Sequence, residues 1–164
     1  MSSAALTGHR PKRLGLKSID VEINQDWRKI IDWLKDTILK YEITETFCGM
    51  ADGCDIAYGI AVKELKEEGH IIKLNCILPC KNYDSKCNWH SILKDVSDNW
   101  VELNPSYHKN CDDERDQYMV DNSDMLIAIW DGIDAGGVYN TILKAKKQNK
   151  NIVYYVDIMK DNMF

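Results

Sequence analysis

Residues 44–78 read TETFCGMADGCDIAYGIAVKELKEEGHIIKLNCIL, and their pattern decides the fold class. Thr44 to Cys48 reads as a short strand that stops at Gly49. Cys54 to Glu68 carries Ile56, Ala57, Ile60, Ala61 and Leu65 on one helical face, with Gly69 as its C-terminal stop. Ile71 to Leu78 is nearly continuous apolar sequence, as expected for a strand covered on both faces, and Pro79 ends it. A strand, a crossover helix and a second strand make the unit from which parallel sheets are built.

The same alternation extends outward in both directions. Ser3 to Thr7 predicts a first strand running into the loop Gly8-His9-Arg10-Pro11-Lys12-Arg13, which carries three cationic side chains. From Asn24 to Tyr41, the residues Trp27, Ile30, Ile31, Leu34, Ile38 and Tyr41 form one face of a helix, with Asn24 as its N-cap. Downstream, Ser85 to Val96 predicts a helix and Trp100 to Leu103 a short strand. Asp112 to Asn122 opens with acidic residues that suit the positive end of a helix. Met125 to Trp130 predicts a central strand, Gly137 to Gln148 a helix and Asn151 to Val156 a last strand. The order implies an α/β sandwich with a mostly parallel sheet, as one domain over residues 1–164.

Composition narrows the class. The 164 residues are 45% hydrophobic and 29% charged, with a formal net charge of −5. That apolar content excludes low-complexity disorder. No apolar run approaches the ~18 residues that span a bilayer, and the first residues lack the apolar core of a signal peptide. A cytoplasmic protein without a membrane partner is the expectation. An isoelectric point of about 5.3 argues against a protein that coats nucleic acid. The six cysteines include no C-x-x-C pair, and His90 alone completes no zinc site, so buried thiols are expected and neither a metal nor another cofactor is.

Ligands of a parallel sheet bind beyond the carboxyl ends of its strands, so the residues that follow each strand matter most. The first strand leads into Thr7-Gly8-His9-Arg10-Pro11 and the second into Gly49-Met50-Ala51-Asp52-Gly53-Cys54-Asp55. The third leads into Pro79-Cys80-Lys81, and the strand at Met125 into Asp131-Gly132-Ile133-Asp134-Ala135-Gly136-Gly137. Glycine lets backbone approach a ligand, and a helix N-terminus offers free N–H groups to an anion. Gly49 to Gly53 and Gly136-Gly137 both have this form. Arg10 and Arg115 are candidate anion partners, since a guanidinium matches phosphate, although either also reads as a surface charge. Asp131, ending a strand beside a glycine turn, is a candidate for a ribose hydroxyl. Asn140 and Thr141 are candidate hydrogen-bond donors in the first turn of the last helix. His9 is a candidate phosphate donor or general acid. Asp52 and Asp55 are either caps or acids. Trp130, Trp89 and Tyr139 are either core aromatics or a stacking surface for a base.

Taken in order, these segments, with Arg115 to Asp121, Leu126 to Gly132 and Gly136 to Thr141, resemble the YpsA-type branch of the SLOG superfamily from about Leu6 to Val156. The resemblance implies a Rossmann-like three-layer sandwich with a pocket for nucleotides or nucleotide-derived ligands, faced by the Gly49 and Gly136-Gly137 turns. The related LOG phosphoribohydrolases place a glutamate a few residues after their glycine pair. Here Val138 to Ile142 has no acid, which counts against hydrolysis of an N-glycosidic bond by that route. The DNA-binding DprA branch is a poor match for an acidic chain, so nucleic acid is not the expected partner.

Three functions from different classes follow. One is a ligand-binding protein that holds an ADP-ribose-like or cyclic nucleotide as a cellular sensor, or as a phage sponge for an immune signal. Another is a hydrolase or transferase at the N-glycosidic bond, with His9, Asp55 or Asp131 as catalytic candidates. An interaction module that keeps only a pocket remnant is the third. A homo-oligomer is expected, and Trp27 and Trp33, which do not share one helix face, suggest a contact surface.

Overall fold

The computed structural model describes residues 2–155. Six strands form one sheet in the order β4-β3-β2-β1-β5-β6. They are β1 (Ser2–Gly8), β2 (Ile43–Cys48), β3 (Lys73–Leu78), β4 (Asn99–Glu102), β5 (Met125–Ile129) and β6 (Asn151–Tyr155). The helices are α1 (Pro11–Leu14), α2 (Gln25–Lys40), α3 (Cys54–Glu67), α4 (Asn88–Val96), α5 (Cys111–Asp121) and α6 (Gly137–Lys147). Every strand pair is parallel, so the expected mostly parallel sheet is parallel throughout. The fold is a Rossmann-like three-layer sandwich.

Alternation along the strands builds the three layers, because successive side chains point to opposite faces. Ala4 and Leu6 of β1, with Met125, Ile127 and Ile129 of β5, join the α2–α3–α4 side of the core. Ala5, Leu126 and Ala128 join the α5–α6 side. Trp27, Ile30, Ile31, Leu34 and Ile38 of α2 are fully covered or nearly so, each contributing about 1.5–3 kcal/mol by leaving water. The Asn24 side chain accepts the Trp27 N–H at 3.0 Å and caps α2 as its sequence predicts. Trp33 is half-buried and stacks on Tyr155 with ring centroids 4.5 Å apart, so it packs within the chain.

Several boundaries differ from expectation. The loop after β1 contains the short helix α1, started by Pro11 and closed by Gly15 in the left-handed region at φ 69°. β3 begins at Lys73, where its pairing with Glu45 begins, and leaves Ile71 93% exposed. α4 begins at Asn88 rather than Ser85, because Asn82 and Asp84 hold left-handed φ values in the turn before it. β4 runs from Asn99 and ends at Glu102, and β5 ends at Ile129, before Trp130. Val156, the expected end of the last strand, lies outside the described residues.

Strands β1 to β4 march outward from the centre, and β5 then returns to the other side of β1. The chain therefore leaves adjacent strands β1 and β5 toward opposite faces, which opens a crevice at their carboxyl ends. Gly8 pairs with Ile129 at that edge.

Candidate functional site

A cavity of about 390 Å³ occupies this crevice, within the size range of small-molecule sites. Thr7, Gly8, His9 and Arg10 reach it from β1, Ala51 and Asp55 from the β2–α3 turn, and Arg115 from α5. Gly137 and Val138 bring the N-terminus of α6 to it. Residues far apart in sequence thus meet because their strands end at one edge.

Arg115 lies at the centre. Its residue is 6% exposed, which settles its role against a solvated helix face. Nη1 donates to the Gly49 carbonyl at 2.8 Å and Nε donates to Asp116 Oδ1 at 2.9 Å. Nη2 lies 3.7 Å from Asp112 Oδ1, an ion pair without a hydrogen bond. Burial works against the charge, but Asp116, Asp55 and Tyr83 outweigh it and raise the Arg115 pKa. The Tyr83 ring covers the guanidinium at 5.9 Å. Nε and one N–H of Nη1 are therefore spent inside the protein, where they order the pocket floor.

Asp55 sits on that floor in the first turn of α3 and is 8% exposed. Its Oδ2 accepts the Ala51 N–H at 3.1 Å, so it caps the turn and also faces the cavity. Burial pushes its carboxyl up to about 6, against the opposing pull of Arg115 and the Ala51 N–H. Burial also raises Asp116, with Arg115 opposing. A Cβ at Gly49 would stand 2.8 Å from Asp55 Oδ2 and 3.1 Å from Arg115 Cδ, so glycine there is a matter of space.

At the rim, Arg10 Nη2 donates to the Tyr83 hydroxyl at 2.9 Å, and no other hydrogen bond holds its guanidinium among the described residues. Arg13 borders the cavity too, but its donors are engaged. Nε and Nη2 bond Asp131 at 2.6 and 3.2 Å, and Nη1 donates to the Ala135 carbonyl at 3.2 Å. This arm crosses the space that a Cβ at Gly136 would fill, 2.6 Å from Nη1, while Gly136 itself holds φ 96° as the N-cap of α6. Arg13 thus fastens α1 to the β5–α6 turn and sets where the α6 N-terminus points.

The structure distributes the remaining expected residues differently. Asp131 does not reach the cavity. Arg13 and the Ile133 N–H, bonded at 2.9 Å, occupy its carboxylate, so it anchors Arg13 rather than being free for a ribose hydroxyl. Those partners, with His9, overcome burial and lower its pKa. His9 is 3% exposed and accepts the Asp131 N–H at Nε2 over 3.0 Å. Burial lowers its pKa despite Asp131, and Nε2 is taken up by Asp131 rather than offered to a phosphate.

Met50 is wholly buried, with φ 66°, and its carbonyl lies 2.8 Å from His90 Nε2, so it belongs to the core. Gly53 turns its α-carbon to Pro11, and Gly8 to Cys54. Thr141 is 1% exposed and holds Asp116 from behind, its hydroxyl 3.3 Å from Oδ2. Asn140 lies on the other side of α6, against a separate hollow shared with α5. Trp130 and Tyr139 stack on each other 6.1 Å apart, outside the cavity, and Trp89 packs on the core.

Sequence reasoning left Asp116, Asp112, Tyr83 and the anchoring part of Arg13 out of the site. Asp116, next to Arg115, carried some signal. Tyr83 carried none, since it arrives on a turn with no motif.

All six cysteines are unpaired thiols, and among the described residues no His, Cys, Asp and Glu cluster has the form of a metal site. No helix of the described residues is long and apolar enough to cross a membrane. Compared with protein-family models and with curated proteins, the sequence matches none.

Proposed function

We propose that this chain binds a nucleotide or nucleotide-derived ligand, ADP-ribose-like or cyclic, in the β1–β5 crevice and holds it without turnover. The observation that carries the reading is the crevice itself. The α6 N-terminus and Arg10 face one cavity at the point where the strand order reverses. An anionic group set at α6 meets backbone N–H groups and the helix dipole, and Arg10 supplies the charge. The same turns carry the resemblance to the YpsA-type SLOG branch, which supports a sensor in a cell or a sponge in phage counter-defence. Unpaired buried thiols support a cytoplasmic setting. A homo-oligomer is part of the proposal, and light scattering that returns the monomer mass would remove it.

Calorimetry with AMP, ADP-ribose, NAD, cyclic AMP and cyclic ADP-ribose tests the binding reading. Saturable binding of at least one is expected, weakened about tenfold by Arg10→Ala, as loss of a charged hydrogen bond implies. Silence from the whole panel would sink it.

A specific observation favours a second reading, an enzyme at the N-glycosidic bond. Asp55 is a cavity-facing carboxyl with a pKa near 6, suited to give or take a proton. Chromatography after long incubation with nucleoside monophosphates and NAD separates the two readings. Released base supports catalysis, and unchanged substrate at high protein concentration excludes it.

A further inference from the structure

We propose that the floor of this cavity is an acceptor surface that reads the hydroxyls of a ribose, with Asp55 selecting ribonucleotides over 2′-deoxyribonucleotides. The inference rests on the nucleotide reading above and names the ligand class within it.

Hydrogen-bond supply is uneven across the cavity. Asp55 is more than nine-tenths buried yet faces the cavity. Ala51 N–H satisfies Oδ2, and among the described residues no hydrogen bond reaches Oδ1. Its neighbour Arg115 does not fill the gap, because its bonded donors go to Gly49 and Asp116. Asp112 borders the same cavity; its covered Oδ1 sits 3.7 Å from Arg115 Nη2, and among the described residues no hydrogen bond reaches its Oδ2. Asp116 is satisfied by Arg115 and Thr141. The floor therefore presents unfilled acceptors beside Arg115, while Arg10 and the α6 N-terminus supply further donors at the rim.

That polarity fits a ligand with an anion at one end and hydroxyl donors beside it. In a nucleotide the group that adjoins the phosphate is the sugar, whose hydroxyls are donors. A hydroxyl donating to a buried carboxylate makes a charge-assisted bond. A site built around such a bond rejects the analogue that lacks the hydroxyl, because the buried acceptor is left unpaired.

The test is calorimetry on the full chain at pH 7.5 with two matched pairs: AMP with 2′-deoxy-AMP, and ADP-ribose with 2′-deoxy-ADP-ribose. The ribose member of at least one pair is expected to bind about tenfold tighter or more. Asp55→Asn should shrink that preference to about threefold or less. Its amide keeps an oxygen on the Ala51 N–H and turns an NH2 donor toward the cavity. Asp112→Asn, at a side chain 38% exposed, reads the same floor should Asp55→Asn not fold. Equal affinities within both pairs would overturn the ribose reading and leave nucleotide binding standing. No binding of any of the four overturns the ribose reading, and silence from NAD, cyclic AMP and cyclic ADP-ribose as well overturns nucleotide binding with it. An undiminished preference in both variants would overturn the assignment to these carboxylates.

Discussion

Asp55 combines a turn cap, a buried charge and a cavity-facing oxygen in one side chain, and the combination has a stability cost. Its carboxyl titrates at about 6 in the folded chain instead of the ordinary 3.8. Between these values the folded state keeps a proton that the unfolded state has released, so stability falls as pH rises through that window. Above pH 6 the loss is about 3 kcal/mol. Asp55→Asn should therefore raise the melting temperature at pH 7.5, by an amount equivalent to about 1–3 kcal/mol, with the gain fading near pH 4. Thermal melts across pH 4–8 check this, and a pH-independent difference would contradict the buried-charge account. A second residue-scale expectation concerns Gly137, where an added Cβ meets nothing within 4 Å. Gly137→Ala should leave stability unchanged or raise it by up to about 1 kcal/mol. The methyl group would stand in the cavity and lower affinity for the proposed nucleotide ligand about tenfold by calorimetry, the scale of one lost anion contact.

At the scale of elements, caps and tethers come from distant parts of the chain. The first turn of α4 is not capped by its own N-cap Cys87. Asp20 supplies the acceptor instead, taking the Asn88 N–H at 2.8 Å and the Asn88 side-chain amide at 3.2 Å. Asp20→Ala should cost about 1 kcal/mol, the usual value of a lost cap, and urea unfolding would measure it. Faster amide exchange should be confined to the start of α4. This dependence explains why the sequence expectation of a helix from Ser85 began one turn early. The apolar spacing of Trp89, Leu93 and Val96 was legible, but the cap sits 68 positions away. The Arg13–Asp131 tether has the same character. Each residue is an ordinary polar choice in its own segment, and only the return of β5 beside β1 makes them partners.

For the whole molecule, the two-sided core governs chemistry as well as stability. Cys48, Cys54, Cys76, Cys80 and Cys111 are buried, and burial raises Cys87, the half-buried thiol, to about 11. Thiolate is the reactive form, so the native protein should be nearly inert to a thiol-specific reagent at pH 7.5. Denaturation should release all six thiols. Fast reaction of several thiols in the folded protein would mean that the layers around β2, β3 and α3 open readily.

The succession of strands and helices was legible in the sequence because it rests on local rules. Apolar runs mark strands buried on both faces, a 3.6-residue period marks α2 and α3, and glycines mark the turns. The same rules pointed to the strand ends, and Gly8, Arg10, Ala51, Asp55, Arg115 and Gly137 do line the cavity. What the tertiary structure alone decided is which charges face the cavity and which are spent. Asp131 and Arg13 neutralise each other, Arg115 turns inward, Asn140 points away, and Asp55 keeps an unfilled oxygen. The physical reason is that a guanidinium or carboxylate carries no local preference for its partner. Its role depends on the few ångströms around its tip, and those are set by strand order and helix rotation.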